Sequence, residues 1–245
     1  LATAMAQFVT IGIMLLHFVS RKNTLRLVVP TCVLGKMGAI AVNGFSTAIS
    51  DLALGIIGIL FNRQIMRYLG TDALAVYGII TQITAFVQCM AYGTGQAAQP
   101  IISQNYGAGN FGRIRECLCY ALYTSAAFGV FWTLAVLLMP TPLVYLFMTP
   151  TPQVLSIAPG ILRAYGSSFV LLPFNIFATY YFQAMMKPQL SLTASVARSI
   201  VVSGAMILLL PLIAGADSLW YAMLITEILV AAFGGYYTVK ITKSI

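Results

Sequence analysis

The sequence predicts an all-α membrane protein, a polytopic bundle of about seven transmembrane helices. Three observations carry that expectation. Charged residues make up 7% of the 245 positions, against about 25% in an average soluble domain, and the mean hydropathy is +0.92. The apolar residues are gathered into continuous runs close to the length of about 20 residues that a bilayer demands of a helix. Those runs lack the alternating pattern of a transmembrane barrel strand, so helices and not strands carry the spans.

The spans fall near residues 1–19, 39–61, 73–99, 117–139, 157–185, 190–213 and 218–240. The first begins directly in an apolar run at Leu1, with no initiator Met and no charged leader region, and reads as part of a longer protein. The connection 20–38 is the longest basic one, contains Pro30, Gly35 and Gly38, and sets the first segment apart from the rest. Later connections are short and marked by Pro or Gly: Gly70 with Asp72, Pro140 to Pro152, Lys187 with Pro188, and Gly215 with Asp217. Segments two to seven therefore read as one bundle of six helices. Between the Thr-Pro pairs at 141–142 and 149–152, the apolar LVYLFM reads as a short interfacial piece.

The net charge of +8 is distributed by topology. Arg21, Lys22, Arg26 and Lys36, then Arg113 and Arg115, then Lys187, then Lys240 and Lys243 occupy alternate connections, while the opposite ones hold mainly Arg63 and Arg67. The positive-inside rule places the C-terminus in the cytoplasm; the expected location is a bacterial-type plasma (inner) membrane. No basic patch is interleaved with aromatics on one exposed face, which excludes a nucleic-acid partner. Cys32, Cys89, Cys117 and Cys119 have neither disulfide-framework nor zinc spacing and read as small hydrophobes. No metal site is expected.

Ionisable residues inside spans are costly and point to function. Of five acids, Asp51 and Glu227 lie near the middle of segments two and seven. Asp51 shares a helical face with Gly44, Thr47, Gly55, Gly58 and Asn62, a small polar stripe suited to a wet cavity or close packing. Glu227 is flanked at helical spacing by Trp220, Met223, Leu224, Ala231 and Gly234. Each acid has two readings: a carboxylate that binds a cation or proton inside the bundle, or one paired, as with Arg163 or Arg198, only for assembly. Segment three carries a second stripe, Tyr77, Thr81, Thr84, Gln88, Tyr92, Gly95 and Gln99, at steps of three and four. Its hydroxyls and amides suit a substrate cavity of neutral donors and acceptors; the other reading is interhelical hydrogen bonding. Ser195, Ser199 and Ser203 at spacings of four form a packing seam. His17 reads as a solvated end residue. GAGNFG at 107–112 matches a dinucleotide fingerprint but lacks the strand before it and the acid after it. A retinal receptor is excluded because the last segment has no interior Lys.

The stretch GTGQAAQPIISQNYGAGN at 93–110 ends segment three: Pro100 removes a backbone donor, and NYGAGN supplies residues that tolerate left-handed conformations. This stretch resembles the loop after the eighth helix of the multidrug and toxic compound extrusion (MATE) family. GFSTAISDLALGIIGILFNRQIMRYLG at 44–70 resembles that family's seventh helix, and FQAMMKPQLSL at 182–192 the end of its tenth. The resemblance implies twelve helices in two pseudo-symmetric lobes that export cationic, amphipathic compounds against inward sodium or protons. Residues 1–38 would then be the last helix of the N-terminal lobe with a cytoplasmic linker, and residues 39–245 the C-terminal six-helix lobe. Asp51 falls in the family's acidic seventh helix. On the tenth helix, where members often carry a second acid, this chain offers Asn175 and Gln183.

The expected function is a secondary antiporter for cationic amphipathic drugs, with sodium or a proton as coupling ion and no further cofactor. The alternative is a flippase for a lipid-linked polysaccharide precursor, which needs a cationic cavity for a diphosphate; Arg163 and Arg198 are the only candidates for it, too few for such a cavity. An enzyme is not expected, since no paired nucleophile and base occurs. The expected ion-coupling residues are Asp51 and Glu227. The expected cavity residues are Tyr77, Thr81, Thr84, Gln88, Tyr92, Gln99, Asn62 and Asn175. The expected partners are the substrate, the bilayer and the N-terminal lobe.

Overall fold

The computed structural model describes residues 2–19, Met37, Leu52 and residues 55–244. The chain divides into two compact units, residues 1–41 and residues 42–245. In the first, the described helix is α1, Ala2–Val19. Most of span 39–61, including Asp51, Gly44 and Thr47, lies outside the described residues.

In the second unit every described element is helical. Helix α2 covers residues 55–68 and so runs past the expected end at 61. Its polar tail, Asn62 to Arg67, contains no Pro or Gly, and the helix stops where Gly70 takes a positive φ of 83°. Helix α3, Gly70–Gly107, is longer than expected at both ends. Pro100 is accommodated inside it. The chain turns only at Ala108 and Gly109, where Gly109 adopts φ 72° and Asn110 N–H bonds the Asn105 carbonyl at 2.9 Å. GAGN, and not Pro100, is therefore the stop signal.

After α4 (Phe111–Leu138), the LVYLFM piece forms the short helix α5, Pro140–Phe147. Thr151 then caps α6 (Pro152–Gly166) by accepting the Val154 N–H at 3.3 Å, with Pro152 in the first turn. Span five is broken: Ser167–Val170 tightens to a 3₁₀ turn before α7, Leu172–Ala184, whose first turn holds Pro173. Span six is broken too, since α8 (Pro188–Val196) and α9 (Val202–Ala214) are joined by a π-helical turn, Ala197–Val201. A 3₁₀ turn, Ala216–Tyr221, leads into α10, Ala222–Lys243.

Five helical stretches, counting the 3₁₀ and π turns as part of them, are long and apolar enough to cross a membrane: Gly70–Gly107, Phe111–Leu138, Pro152–Ala184, Pro188–Ala214 and Ala216–Lys243. Helix α3 is central, packing against α4, α6 and α7 through Val76, Ile79, Ile80, Ile83 and Val87, all buried. Three close crossings depend on glycine. A Cβ at Gly95 would collide with the Tyr180 ring, one at Gly166 with Val136, and one at Gly129 with the main-chain oxygens of Val170 and Phe169. Large apolar side chains left exposed, such as Phe131, Leu134, Leu212, Ile213 and Leu229, form the surface that a bilayer solvates.

Candidate functional site: a cavity beside a buried ion pair

On α3, the face opposite Ile79, Ile83 and Val87 carries Thr81, Thr84 and Gln88. A helical period puts residues three and four apart on one face, and the apolar face is the one packed inward. These three residues and Tyr77 line a cavity of about 220 Å³. Thr81 and Thr84 donate their hydroxyls to the carbonyls of Gly78 and Ile80 at 2.8 and 2.7 Å, which leaves the hydroxyl oxygens as acceptors. Across the cavity lie Ile57 and Gly58 of α2, Tyr165 of α6, Ser168, Leu172, Arg198, Ser199 and Met223. Phe61, Tyr77 and Tyr165 form an aromatic cluster at its wall, with ring centroids 5.0 to 6.4 Å apart. A second cavity of about 390 Å³, near Trp220 and Asp217, lacks this polar face.

Arg198 is the one charged side chain in the described lining. Its partner stands behind it. Glu227 of α10 has no exposed surface, and Arg198 donates Nε–H to Glu227 Oε1 at 2.9 Å. Asn175 of α7, itself 2% exposed, donates Nδ2–H to Glu227 Oε2 and to the Glu227 main-chain oxygen. Asn175, expected in the cavity, and Glu227, expected as an ion-coupling acid, thus lie together in one hydrogen-bonded cluster with Arg198. Of the two arginines considered as partners, Arg163 is exposed and donates to the Leu137 carbonyl at 3.1 Å, at the end of α4.

The other expected residues are placed elsewhere. Tyr92 packs edge-on against Tyr180 with centroids 6.3 Å apart and lies near enough to Arg198 to interact electrostatically. Gln99 donates to the Gln183 side chain at 3.3 Å, and Gln183 donates in turn to Ser191. Asn62 is exposed on α2. Ser195, Ser199 and Ser203 are all buried, and Ser199 also borders the cavity. Asp51 lies outside the described residues. Sequence reasoning missed Tyr165 and Ser168, which carry no local signal, and weighed Arg198 only as an acid's partner or as a cation for a diphosphate. Its position within an apolar span was the available sign. Among the described residues, no group of three His, Cys, Asp or Glu gathers to hold a metal.

A polar, partly charged cavity walled by membrane-length helices is the kind of interior that a polytopic membrane transporter builds. The MatE family model matches residues 46–207, more than half of the chain, and the chain belongs to that family. Among solved structures, the MATE multidrug transporter DinF-BH, solved as a complex, is 24% identical, with a TM-score of 0.82, over 98% of this chain and 54% of its own. An outward-facing multidrug resistance MATE family transporter of the MOP superfamily is 20% identical, with a TM-score of 0.81, over 93% and 52%. An MOP superfamily transporter from Pyrococcus furiosus, described as having a binding pocket of reverse polarity, is 19% identical, with a TM-score of 0.81, over 93% and 52%. No curated protein sequence matches the chain significantly. The chain spans about half the length of the solved structures it matches.

Proposed function

We propose that this chain is the C-terminal lobe, residues 39–245, of an efflux antiporter, preceded in residues 1–38 by the last helix of an N-terminal lobe and a linker. The transporter exports cationic, amphipathic compounds in exchange for sodium or protons. The observation that supports it most is the cavity of about 220 Å³, lined by hydroxyls, an amide, aromatic rings and apolar side chains inside a MATE-type bundle. That mixture suits a substrate with an apolar body and few polar groups. Family membership points to transport and away from enzymatic chemistry. A diphosphate flippase needs a cationic cavity, whereas Arg198 is neutralised by Glu227 and Arg163 is bound to a carbonyl outside the lining.

Asp51 and Glu227 are the proposed coupling acids, and Tyr77, Thr81, Thr84 and Gln88 the substrate-facing residues. The test is ethidium efflux by the full-length protein in proteoliposomes under an imposed sodium or proton gradient. Asp51→Asn is expected to abolish gradient-driven efflux while expression and insertion stay normal. Unchanged efflux removes Asp51 from coupling, and ethidium that moves under neither gradient with the unaltered protein overturns the transporter reading.

A further inference from the structure

The described groups around the Glu227 carboxylate are hydrogen-bond donors. Arg198 Nε–H occupies Oε1 at 2.9 Å. Asn175 Nδ2–H occupies Oε2 and also holds the Glu227 main-chain oxygen at 2.9 Å. The oxygen of the same amide, Asn175 Oδ1, therefore points away from the carboxylate, and it is buried without a hydrogen-bond partner among the described residues. A hard metal cation takes several oxygen ligands. Here the neighbouring amide turns its nitrogen to Oε2 and a guanidinium holds Oε1, so the described contacts of the carboxylate are donors and not cation ligands. A proton needs only one lone pair.

We propose that Glu227 is a proton site and that Arg198 is the charge it unmasks toward the cavity. This rests on the antiporter function proposed above and selects the proton over sodium as the ion acting on this lobe. Asn175 is a positioning residue: by holding Oε2 and the main-chain oxygen together, it fixes the carboxylate against Arg198. A proton from the aqueous phase adds to the Glu227 carboxylate, the charge that pairs with Arg198 is lost, and no covalent bond between heavy atoms changes. The cluster goes from net neutral to one positive charge. Arg198 already borders the cavity, where the oxygens of Gln88, Tyr77 and Ser199 can accept its N–H groups. It is also carried on the π-helical turn Ala197–Val201, a wide turn of the kind found at functional sites.

A cationic substrate in the same cavity then meets an unpaired guanidinium in a medium of low dielectric and is repelled. The sign is that of antiport: proton bound, cation released. The surroundings add little competing charge. Tyr165 of α6 lies near both members of the pair, and Tyr92 of α3 near Arg198. Helices α7, α8 and α9 and the Ser167–Val170 turn contribute no charged residue. Arg163 and Asp217 are exposed, and Lys240 and Lys243 lie in the last turn of α10.

The test is infrared difference spectroscopy of the purified full-length protein during a pH titration, run beside ethidium efflux in proteoliposomes. A carboxylic-acid C=O band is expected to grow as pH falls, to be unaffected by sodium, and to vanish in Glu227→Gln. In Arg198→Gln ethidium release is expected to lose its pH dependence while ethidium binding persists; a merely structural pair leaves that pH dependence in place. The Glu227→Gln/Arg198→Gln double variant keeps the test open if a single variant misfolds, and it is expected to bind ethidium without pH-dependent release. A band that survives in Glu227→Gln, or that sodium removes, overturns the proposal. Efflux driven by sodium alone, with that band unchanged, overturns it while leaving the antiporter standing. A band lost in Glu227→Gln without efflux under either gradient keeps the proton site and removes the antiporter.

Discussion

Burying Glu227 and Arg198 side by side desolvates two charges, and their attraction offsets that cost only while both are present. Removing one partner is therefore worse than removing both. Arg198→Met is expected to destabilise the protein by about 3–5 kcal/mol, whereas Glu227→Gln/Arg198→Met, with the charge gone and the volume kept, loses much less; thermal unfolding in detergent measures both. At the same scale, the polar face of α3 makes a prediction about access. In a background without native cysteines, Thr81→Cys, Thr84→Cys and Gln88→Cys are expected to react with a membrane-impermeant thiol reagent, with ethidium protecting them. Ile83→Cys and Val87→Cys, on the packed face, are expected not to react. Labelling of Ile83→Cys and Val87→Cys with the other three left untouched shows that the cavity lies elsewhere.

Among the elements, legibility followed the kind of signal that each one carries. Helix α3 could be read with its cavity face because a period of three and four survives any straight helix. Its end is harder to read because Pro100 looks like a breaker, yet a long span tolerates one lost hydrogen bond when its neighbours hold it. Glu227 stood out as an acid in an apolar run, but its partner choice depends on which helices meet, and Arg163 and Arg198 look equivalent in one dimension. The π-helical turn had no marker at all: VARSIV contains neither Pro nor Gly. The crossings at glycine were equally silent, since Gly129 and Gly78 look alike in sequence. They separate in the structure. Gly129→Ala pushes a methyl group into the Val170 and Phe169 carbonyl oxygens and is expected to cost about 1–3 kcal/mol. Gly78→Ala meets nothing within 4 Å in a helix interior and is expected to be neutral or to stabilise by up to about 1 kcal/mol. Paired melting curves decide it, and equal shifts would mean that the α4 crossing is looser than described.

For the molecule as a whole, the surface is of two kinds. Phe131, Leu134, Leu212 and Leu229 suit lipid, but Asn62, Thr81, Gln82 and Gln96 are also exposed on helices of a membrane protein. Exposed amides in hydrocarbon leave donors and acceptors unsatisfied, which is costly enough that such residues normally face protein or a wet cleft. The chain spans about half of the structures it matches, so the proposed N-terminal lobe is the natural cover for that polar face. Residues 1–245 alone are then expected to insert and fold but not to transport. Reconstituted without the other lobe, they are expected to give no ethidium movement under a sodium or proton gradient, and the thiol-labelling pattern of α3 is expected to lose its protection by ethidium. Co-expression with a separate N-terminal lobe is expected to restore both, because the cavity residues of α3 would again face a closed, polar interior. Gradient-driven transport by residues 1–245 alone would show instead that this bundle completes its own pathway, as a single lobe or as a pair of identical ones, and the two-lobe reading would fall.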